Sequence, residues 1–255
     1  MLGNNLTIIV LTHNDEERIV DCLELLKFAD ELIVVDDKSS DRTIELARKF
    51  ASKILQRPLN SNFSNQRNFA LSSAHNPWVL FVDSDEFISE KLRDEILSKI
   101  QSKNNSGFFL RRIDVMWGKK ILHGEVGELR LLRLARKDTG KWHGKVHEEW
   151  KIKGTIGALS NPLIHTPHQS VKEFISGINI YSTLREEELM EKNTSSNFST
   201  IILYPLAKFF QNYFLRKGYK DGVAGFIYAM IMSFHSFLVR SKLYLRKSDP
   251  NEVSY

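Results

Sequence analysis

VLFVDSDE, residues 79–86, joins four apolar residues to three carboxylates. The apolar run, in which two residues are β-branched, predicts a buried strand that ends at Asp83. Asp83 and Asp85 are two positions apart, and Glu86 follows them. At the carboxyl end of a strand in an open α/β sheet, such side chains face the crevice where ligands bind. Carboxylate oxygens bind Mg²⁺ or Mn²⁺, and such an ion often bridges the protein to substrate phosphates. The segment therefore predicts a site for a metal and a diphosphate. The structural alternative is an ordinary Asp-rich turn.

Strand and helix patterns alternate on both sides of this segment. Alternation at this spacing predicts an α/β fold with a mostly parallel central sheet flanked by helices. Further strands are predicted at Gly107–Val115 and Leu129–Ala135. In the first half, buried strands are predicted at Leu6–Leu11, Leu32–Val35, Ile54–Leu55 and Trp78–Val82, and helices at Ile19–Phe28, Thr43–Phe50 and Asn65–Ala74.

Charge divides the chain into a neutral body and a basic tail. The 255 residues carry a net charge of +5, and the first 199 hold 28 residues of each sign. The excess therefore lies after Thr200, in an apolar segment, which indicates an anionic membrane surface rather than nucleic acid as partner. The single cysteine, Cys22, allows no internal disulfide, and residues 1–5 show no signal-peptide pattern. Both observations favour a cytoplasmic protein.

Two other predicted strands also end in polar residues. The turn Thr12–Glu16 follows the first strand, and the pair Asp36 and Asp37 closes the second. Carboxylates at these ends can accept hydrogen bonds from a nucleobase or ribose, with helix capping as the alternative. Gln66 and Arg67 lie in a predicted helix. The sequence leaves two interpretations open: the arginine presents its positive charge to the phosphates, or both residues belong to a solvated helix face. The chain has no Gly-x-Gly-x-x-Gly or Gly-Lys-Ser/Thr loop, which weakens dinucleotide-redox and P-loop interpretations.

Four motifs, in order, resemble the inverting family-2 glycosyltransferases with the Rossmann-like GT-A fold, above all the branch with lipopolysaccharide-core glucosyltransferases. They are TIIVLTHNDEERI, LIVVDDKSSDRT, NFSNQRNFAL and WVLFVDSDE, within residues 7–86. The resemblance implies a UDP-sugar donor and a Mg²⁺ or Mn²⁺ cofactor. It also implies that Asp83 and Asp85 flank the metal and diphosphate, with Asp85 the more direct ligand. The implied nucleotide-contacting residues are Thr12, Asn14, Glu16 and Asp36, the last at the uracil or ribose.

Inverting transfer requires a general base that deprotonates the acceptor hydroxyl. The resembling branch carries a Val-His-Glu motif, which this chain matches at residues 146–148. The resemblance implies that Glu148 is the base and that His147 is a further metal ligand or a diphosphate partner. Two alternatives remain open: the two roles are exchanged between His147 and Glu148, or the two side chains only pair with each other at a strand edge. His165 and His168, beside Pro167, are interpreted as loop residues with little support for a metal role.

The C-terminal quarter is predicted to be helical. Val171–Lys192 predicts a long charged helix, and Ile201–Phe214 predicts an amphipathic helix with a kink at Pro205. Val223–Val239 has 17 mostly apolar residues, whereas a membrane span needs roughly 20. The basic residues on both sides predict a helix in the membrane interface. A dimerisation or core-covering helix and a transmembrane helix are the alternatives.

These observations define one leading prediction. Residues 1–165 form the GT-A catalytic domain, which binds the nucleotide-sugar, and residues 166–255 form the helical extension. We expect a metal-dependent inverting hexosyltransferase that moves a sugar to a lipid-linked or saccharide acceptor, such as lipopolysaccharide core. It would lie peripherally on the cytoplasmic face of the inner membrane, with a homo-oligomer as one possibility. The alternatives are a catalytically silent membrane scaffold, a sugar-phosphate nucleotidylyltransferase and a receiver-like binding module.

Overall fold

The computed structural model describes residues 4–60, 62–127, 129–144 and 148–248, with side chains through residue 246. The chain divides into two compact units. The first comprises Met1–Arg112 and Leu129–His165, and the second comprises Ile113–Glu128 and Thr166–Tyr255. The segment 113–128 groups with the helices of the second unit. It does so because its apolar residues, such as Met116 and Ile121, pack against Phe174 and Ile178.

A parallel sheet forms the centre of the first unit. Strand β1 (Leu6–Thr12) lies between β2 (Glu31–Asp36) and β4 (Trp78–Asp83), and β3 (Lys53–Gln56) pairs with β2. Helices in the connections are α1 (Ile19–Glu24), α2 (Thr43–Ala47) and α3 (Phe63–Ser73). Successive residues of β1 enter different cores, Ile8 on one face and Ile9 on the other. Burial on both faces explains the continuous apolar runs.

Antiparallel strands extend this sheet beyond β4. Strand β8 (Arg130–Arg136) pairs with β4, and β6 (Gly107–Met116) pairs with β8. The order continues through β12 (Leu163–His165) to β5 (Glu86–Phe87), and β11 (Ile156–Ala158) pairs with β6. Helix α4 is Glu90–Lys99, and β9 (Gly140–His143) and β10 (Glu149–Ile152) form a separate hairpin. The pairing of β11 with β6 is parallel, whereas those of β8 with β4 and with β6 are antiparallel. The predicted α/β class is confirmed, with most of its parallel pairing in β1 to β4.

Helices dominate the second unit. Helix α5 is Val171–Glu191, α6 is Phe198–Phe210, and α7 is Gly222–Ser248; strand β7 (Lys119–Ile121) pairs with β6. Helix α6 contains Pro205 and continues into a π-helical turn at Gln211–Leu215. The expected helix over residues 201–214 is therefore one α-helix followed by a wider turn. Helix α7 has 27 residues, ten more than the apolar stretch that predicted it.

Much apolar surface of the second unit is uncovered within this chain. No side chain of α6 is buried among the described residues, and Phe198 is 72% exposed. The stretch Gly218–Arg246 is long and apolar enough to cross a membrane by length and composition, and 28% of its most apolar window is buried.

Candidate active site

Asp83, at the end of β4, is held by two arginines. Its Oδ1 accepts a hydrogen bond from Nη2 of Arg67 at 3.0 Å, and its Oδ2 accepts one from Nη2 of Arg133 at 2.8 Å. Helix α3 supplies Arg67, and the antiparallel neighbour β8 supplies Arg133. Desolvation raises the pKa of Asp83, but the two guanidinium groups outweigh it and hold that pKa well below its usual range. Asp83 is therefore a carboxylate at any physiological pH.

Arg67 also contacts the predicted base. Its Nε donates to Oε1 of Glu148 at 2.9 Å, so one guanidinium joins Asp83 to Glu148. The Arg67 side chain is only 3% exposed, and its Cζ lies 4.8 Å from the centre of the Trp142 ring. A planar guanidinium can stack on an aromatic ring while its edges donate to carboxylates. Trp142 of β9 thus helps to fix the orientation of the group that connects the two carboxylates.

Glu86 adds a third carboxylate beneath Asp83. It is fully buried, and its Oε2 accepts a hydrogen bond from the Asp83 backbone N–H at 2.9 Å. Its Oε1 lies 3.9 Å from nitrogen atoms of both Arg112 and Arg133. Burial, and then the charge of Asp83, raise the pKa of Glu86, although Arg133 and His165 oppose the shift. The pKa of Asp83 is therefore shifted downward and that of the neighbouring Glu86 upward.

Asp85 is paired with His165, which the sequence placed in a loop with little support for a metal role; the loop interpretation is wrong, because His165 ends strand β12. Oδ2 of Asp85 lies 3.2 Å from Nε2 of His165, the last residue of β12. Strand β12 pairs antiparallel with β5, which places His165 opposite Glu86. Desolvation raises the pKa of Asp85, whereas His165 lowers it, and the net shift is downward. The sequence contained a weak indication, since His165 ends the short apolar run Leu163–Ile164, but the pairing of β12 with β5 was not predictable from it.

The predicted nucleotide-contacting residues of the first strand end connect two loops. Asn14 accepts the backbone N–H of Ser40 at 2.8 Å, and Glu16 accepts that of Arg42 at 3.0 Å. Asn14 has a left-handed backbone with φ of 52°, which suits a tight turn. Thr12 donates to Asp15, which also accepts from the hydroxyl of Ser84 beside Asp83. These contacts hold the loops after β1, β2 and β4 in one arrangement.

Three further predicted residues have partners within the fold. The carboxylate of Asp36 is buried and accepts from the backbone of Ser39 and from Gln56. Asp37 accepts the backbone N–H of Leu59 at 2.7 Å. Gln66 is buried and donates to the carbonyl of Arg57 at 3.0 Å. The structure thus gives Asp36, Asp37 and Gln66 local structural contacts, and brings only Arg67 of the predicted α3 pair to Asp83.

Asp85 and His165 place two side chains of types that bind metal ions next to each other. Both oxygens of Asp83 accept from arginines, whereas Asp85 and His165 place one carboxylate and one imidazole side by side. No group of three or more His, Cys, Asp or Glu that could hold a metal occurs among the described residues, and His147 lies outside them. Mg²⁺ in particular is commonly held by one or two carboxylates plus substrate phosphates. A site with two protein donors therefore remains compatible with a metal that binds together with a diphosphate.

Comparisons with known proteins identify the family. The chain is 29% identical to the lipopolysaccharide core biosynthesis glycosyltransferase LpsC of Rhizobium meliloti, over 96% of this chain and 95% of that protein. It is 25% identical to an uncharacterized glycosyltransferase of Rickettsia conorii, over 95% and 90%. The crystal structure of S. aureus TarS 1-349 in complex with UDP-GlcNAc has 18% identity and a TM-score of 0.47, and covers 91% of this chain and 81% of that one. Residues 7–150 match the family described as glycosyl transferase family 2, and because this match covers more than half of the chain, the protein belongs to that family and is a glycosyltransferase.

Proposed function

We propose that this glycosyltransferase is metal-dependent and inverting, and that it transfers a sugar from a UDP-sugar to a lipid-linked or saccharide acceptor of the lipopolysaccharide-core kind. The observation that carries the proposal is the connected set Asp83, Arg67 and Glu148. It joins the carboxylate expected beside the donor diphosphate to the carboxylate expected to act on the acceptor. The similarity to a relative named for lipopolysaccharide core biosynthesis supports the acceptor class.

Glu148 is proposed as the general base. Its Oε1 accepts a hydrogen bond from Arg67. Its Oε2 would take the proton of the acceptor hydroxyl as the hydroxyl oxygen attacks the anomeric carbon of the donor sugar. The contact with Arg67 fixes the orientation of this carboxylate. Glu148 is half-buried, whereas the adjacent Glu149 is exposed at the start of strand β10. This supports Glu148 over Glu149.

The buried arginines support an anionic leaving group at the same place. One terminal nitrogen of Arg67 and one of Arg133 are buried, and neither has a hydrogen-bond partner among the described residues. Buried donors in folded proteins normally have partners, so such groups indicate a ligand or water. Two guanidinium groups suit the oxygens of a diphosphate. They would bind and orient the donor and stabilise the charge that develops on the nucleoside diphosphate.

Asp85 and His165 would hold the metal, with Asp83 and His147 proposed as further ligands. When bound, Mg²⁺ or Mn²⁺ would neutralise charge on the departing diphosphate. For Asp83 to become a ligand, at least one of its two arginine contacts must be exchanged for the ion. The proposed nucleotide contacts, from the sequence, are Thr12, Asn14, Glu16, Asp36, Asp37, Gln66 and Arg67.

A donor panel tests this function. The full chain would be melted with UDP, GDP, CDP and their common sugar conjugates, each with and without Mn²⁺; binding to the native state raises the melting temperature. We expect a metal-dependent rise with UDP compounds. The donor that binds is then incubated with lipopolysaccharide-core acceptors, and the anomeric configuration of the product is read by NMR. Retention of configuration, or donor binding without transfer to any acceptor, would contradict the proposal, and the latter would favour the silent scaffold.

The location proposed for the enzyme is the cytoplasmic face of the inner membrane. The exposed apolar side chains of α6 and the surrounding basic residues support peripheral contact through the C-terminal helices. A homo-oligomer that covers the same surface is the competing proposal. Flotation of the full chain with anionic vesicles, compared with its oligomeric state by light scattering, separates the two, because a stable oligomer that fails to float contradicts membrane contact.

A further inference from the structure

A cavity opens among the three helices of the second unit. Its volume is about 520 Å³, and residues of α5, α6, the π-helical turn and α7 line it. Cavities that bind small ligands or cofactors commonly measure about 300–1,000 Å³. Each residue discussed above as part of the glycosyl-transfer site lies outside the lining. The cavity is therefore a separate candidate site.

Three cations line the cavity, together with the polar residues Tyr204, Gln211, His235 and Ser236. The cations are Arg185 of α5, Lys208 of α6 and Arg240 of α7, and no Asp or Glu is among the described residues of the lining. The carboxylates that face these groups are Glu188, which pairs with Arg185, and Glu125, which lies 2.8 Å from Lys208. Three cations from three helices therefore share two carboxylates. This excess of positive charge favours an anionic ligand.

Arg240 is the cation without an acidic partner. Within the part of the chain that the structure describes, it forms no ion pair, and its Cζ lies 3.9 Å from the centre of the Tyr204 ring. Stacking orients the guanidinium and leaves its edge nitrogens available to an oxyanion. Arg240 is thus the residue on which recognition of the anion should depend most.

The lining also has an apolar part. Leu189, Phe210, Leu215 and Val239 contribute to it, and the first of these packs with Val239 and Leu243. The neighbouring surface of α6 and the π-helical turn is also apolar, with Leu206 61% exposed and Leu215 66% exposed. A free inorganic anion gains nothing from such walls. A ligand with a phosphate and a hydrocarbon chain matches both halves of the lining.

We propose that this cavity binds the phosphate headgroup and the adjoining acyl chain of an anionic lipid. The phosphate would contact Arg240, Arg185 and Lys208, and the chain would pack on Leu189, Phe210 and Val239. The proposal extends beyond sugar transfer, because it assigns a lipid site to the helical unit. It also differs from general adhesion to a charged surface, since it requires one saturable site.

Short-chain lipids that stay monomeric test the site with the full chain. Calorimetric titration would compare dihexanoyl phosphatidic acid with dihexanoyl phosphatidylcholine and with inorganic phosphate. We expect one molecule of phosphatidic acid to bind at least ten-fold more tightly than either comparison ligand. Equal binding of inorganic phosphate would reduce the cavity to a free-phosphate site, and equal binding of phosphatidylcholine would remove the role of charge. Either result overturns the proposal, as does the absence of saturable binding.

Matched variants locate the binding. Arg240→Gln removes a cation from the cavity, and Arg216→Gln removes one from an exposed position outside it. We expect a ten-fold or greater loss of phosphatidic acid affinity for the first variant and less than two-fold for the second. Equal losses would show only general electrostatic attraction and would overturn the proposal.

A second pair tests the apolar half without a change of charge. Ala207→Trp fills the cavity from an exposed position on its lining, and Leu203→Trp adds the same ring on α6 outside it. We expect lipid binding to be lost in Ala207→Trp and retained in Leu203→Trp, with ligand-free melting temperatures close to that of the unmodified chain. Retained binding in Ala207→Trp would overturn the site. Because the readout is lipid binding, its failure is distinct from failure of sugar transfer.

Discussion

Replacement of Arg67 by methionine removes the one side chain that joins Asp83 to Glu148. Methionine keeps an unbranched apolar side chain against the Trp142 ring, so the change mainly deletes the guanidinium. Two charge-assisted contacts are lost, at 3.0 Å to Asp83 and 2.9 Å to Glu148. Hydrogen bonds to charged groups contribute about 1.5–3 kcal/mol each. Because Asp83 is 29% exposed and Glu148 14% exposed, water compensates part of the loss. We expect the free energy of unfolding to fall by about 3 kcal/mol, at the low end of the two-bond sum.

Arg136→Met is the matched control. Arg136 also stacks on a tryptophan, with its Cζ 4.7 Å from the Trp78 ring, but its hydrogen bonds go to the backbone carbonyls of Asn105 and Ser102. We expect its loss to cost about 1 kcal/mol, the scale of ordinary hydrogen bonds. Urea denaturation at pH 7 measures both variants. Equal destabilisation of the two, or a loss below about 1 kcal/mol for Arg67→Met, would refute the stabilising role assigned to the carboxylate contacts.

Acid provides an independent check of the same reasoning. The pKa of Asp83 is depressed in the folded protein: desolvation opposes the shift, and Arg133 and Arg67 cause it. The resulting stability is present above the unfolded-state pKa of about 4 and is lost as the pH falls towards the folded-state value. We therefore expect the difference between the unmodified chain and Arg67→Met to stay constant from about pH 7 to 5 and to shrink below about pH 4. A difference that grows in acid would contradict this account.

Three further predictions concern neighbouring groups. Glu148→Gln should lower kcat by about 100-fold or more, as expected for the loss of a general base. In the adjacent exposed control, Glu149→Gln, kcat should stay within about three-fold of the unmodified value, and equal effects on kcat would rule out Glu148 as the base. Burial raises the pKa of Glu86, so the unmodified chain loses stability as the pH rises above the unfolded-state pKa of about 4.5. Glu86→Gln should therefore become more stable relative to the unmodified chain as the pH rises from that value, and an unchanged difference in urea denaturation would contradict the shift. In the presence of UDP, Mn²⁺ should raise the melting temperature, and His165→Asn should increase the Mn²⁺ concentration that gives half of this rise by about ten-fold or more. An unchanged Mn²⁺ concentration would exclude His165 from the metal site.

The sequence predicted the parallel half of the sheet because its strands are buried on both faces. Residues 6–12, 31–36 and 78–83 all carry continuous apolar runs, and each is a strand of the observed sheet. The antiparallel half of the sheet was harder to predict from the sequence. Strand β5 has two residues and β12 has three, which is too short for a periodic pattern, and their partners were therefore not predictable.

Patterns in the sequence are enough to predict the α/β class, the carboxylates at the end of β4 and the family to which the ordered motifs belong. The groups that surround those carboxylates, in contrast, come together only in the folded chain. Arg133 and Asp83 are 50 residues apart in the chain, and Arg67 and Glu148 are 81 apart. Local periodicity reports which face of an element is buried, but contacts at such separations depend on the order and direction of strands. His165 reaches Asp85 for the same reason, since the pairing of β12 with β5 brings two short, distant segments together.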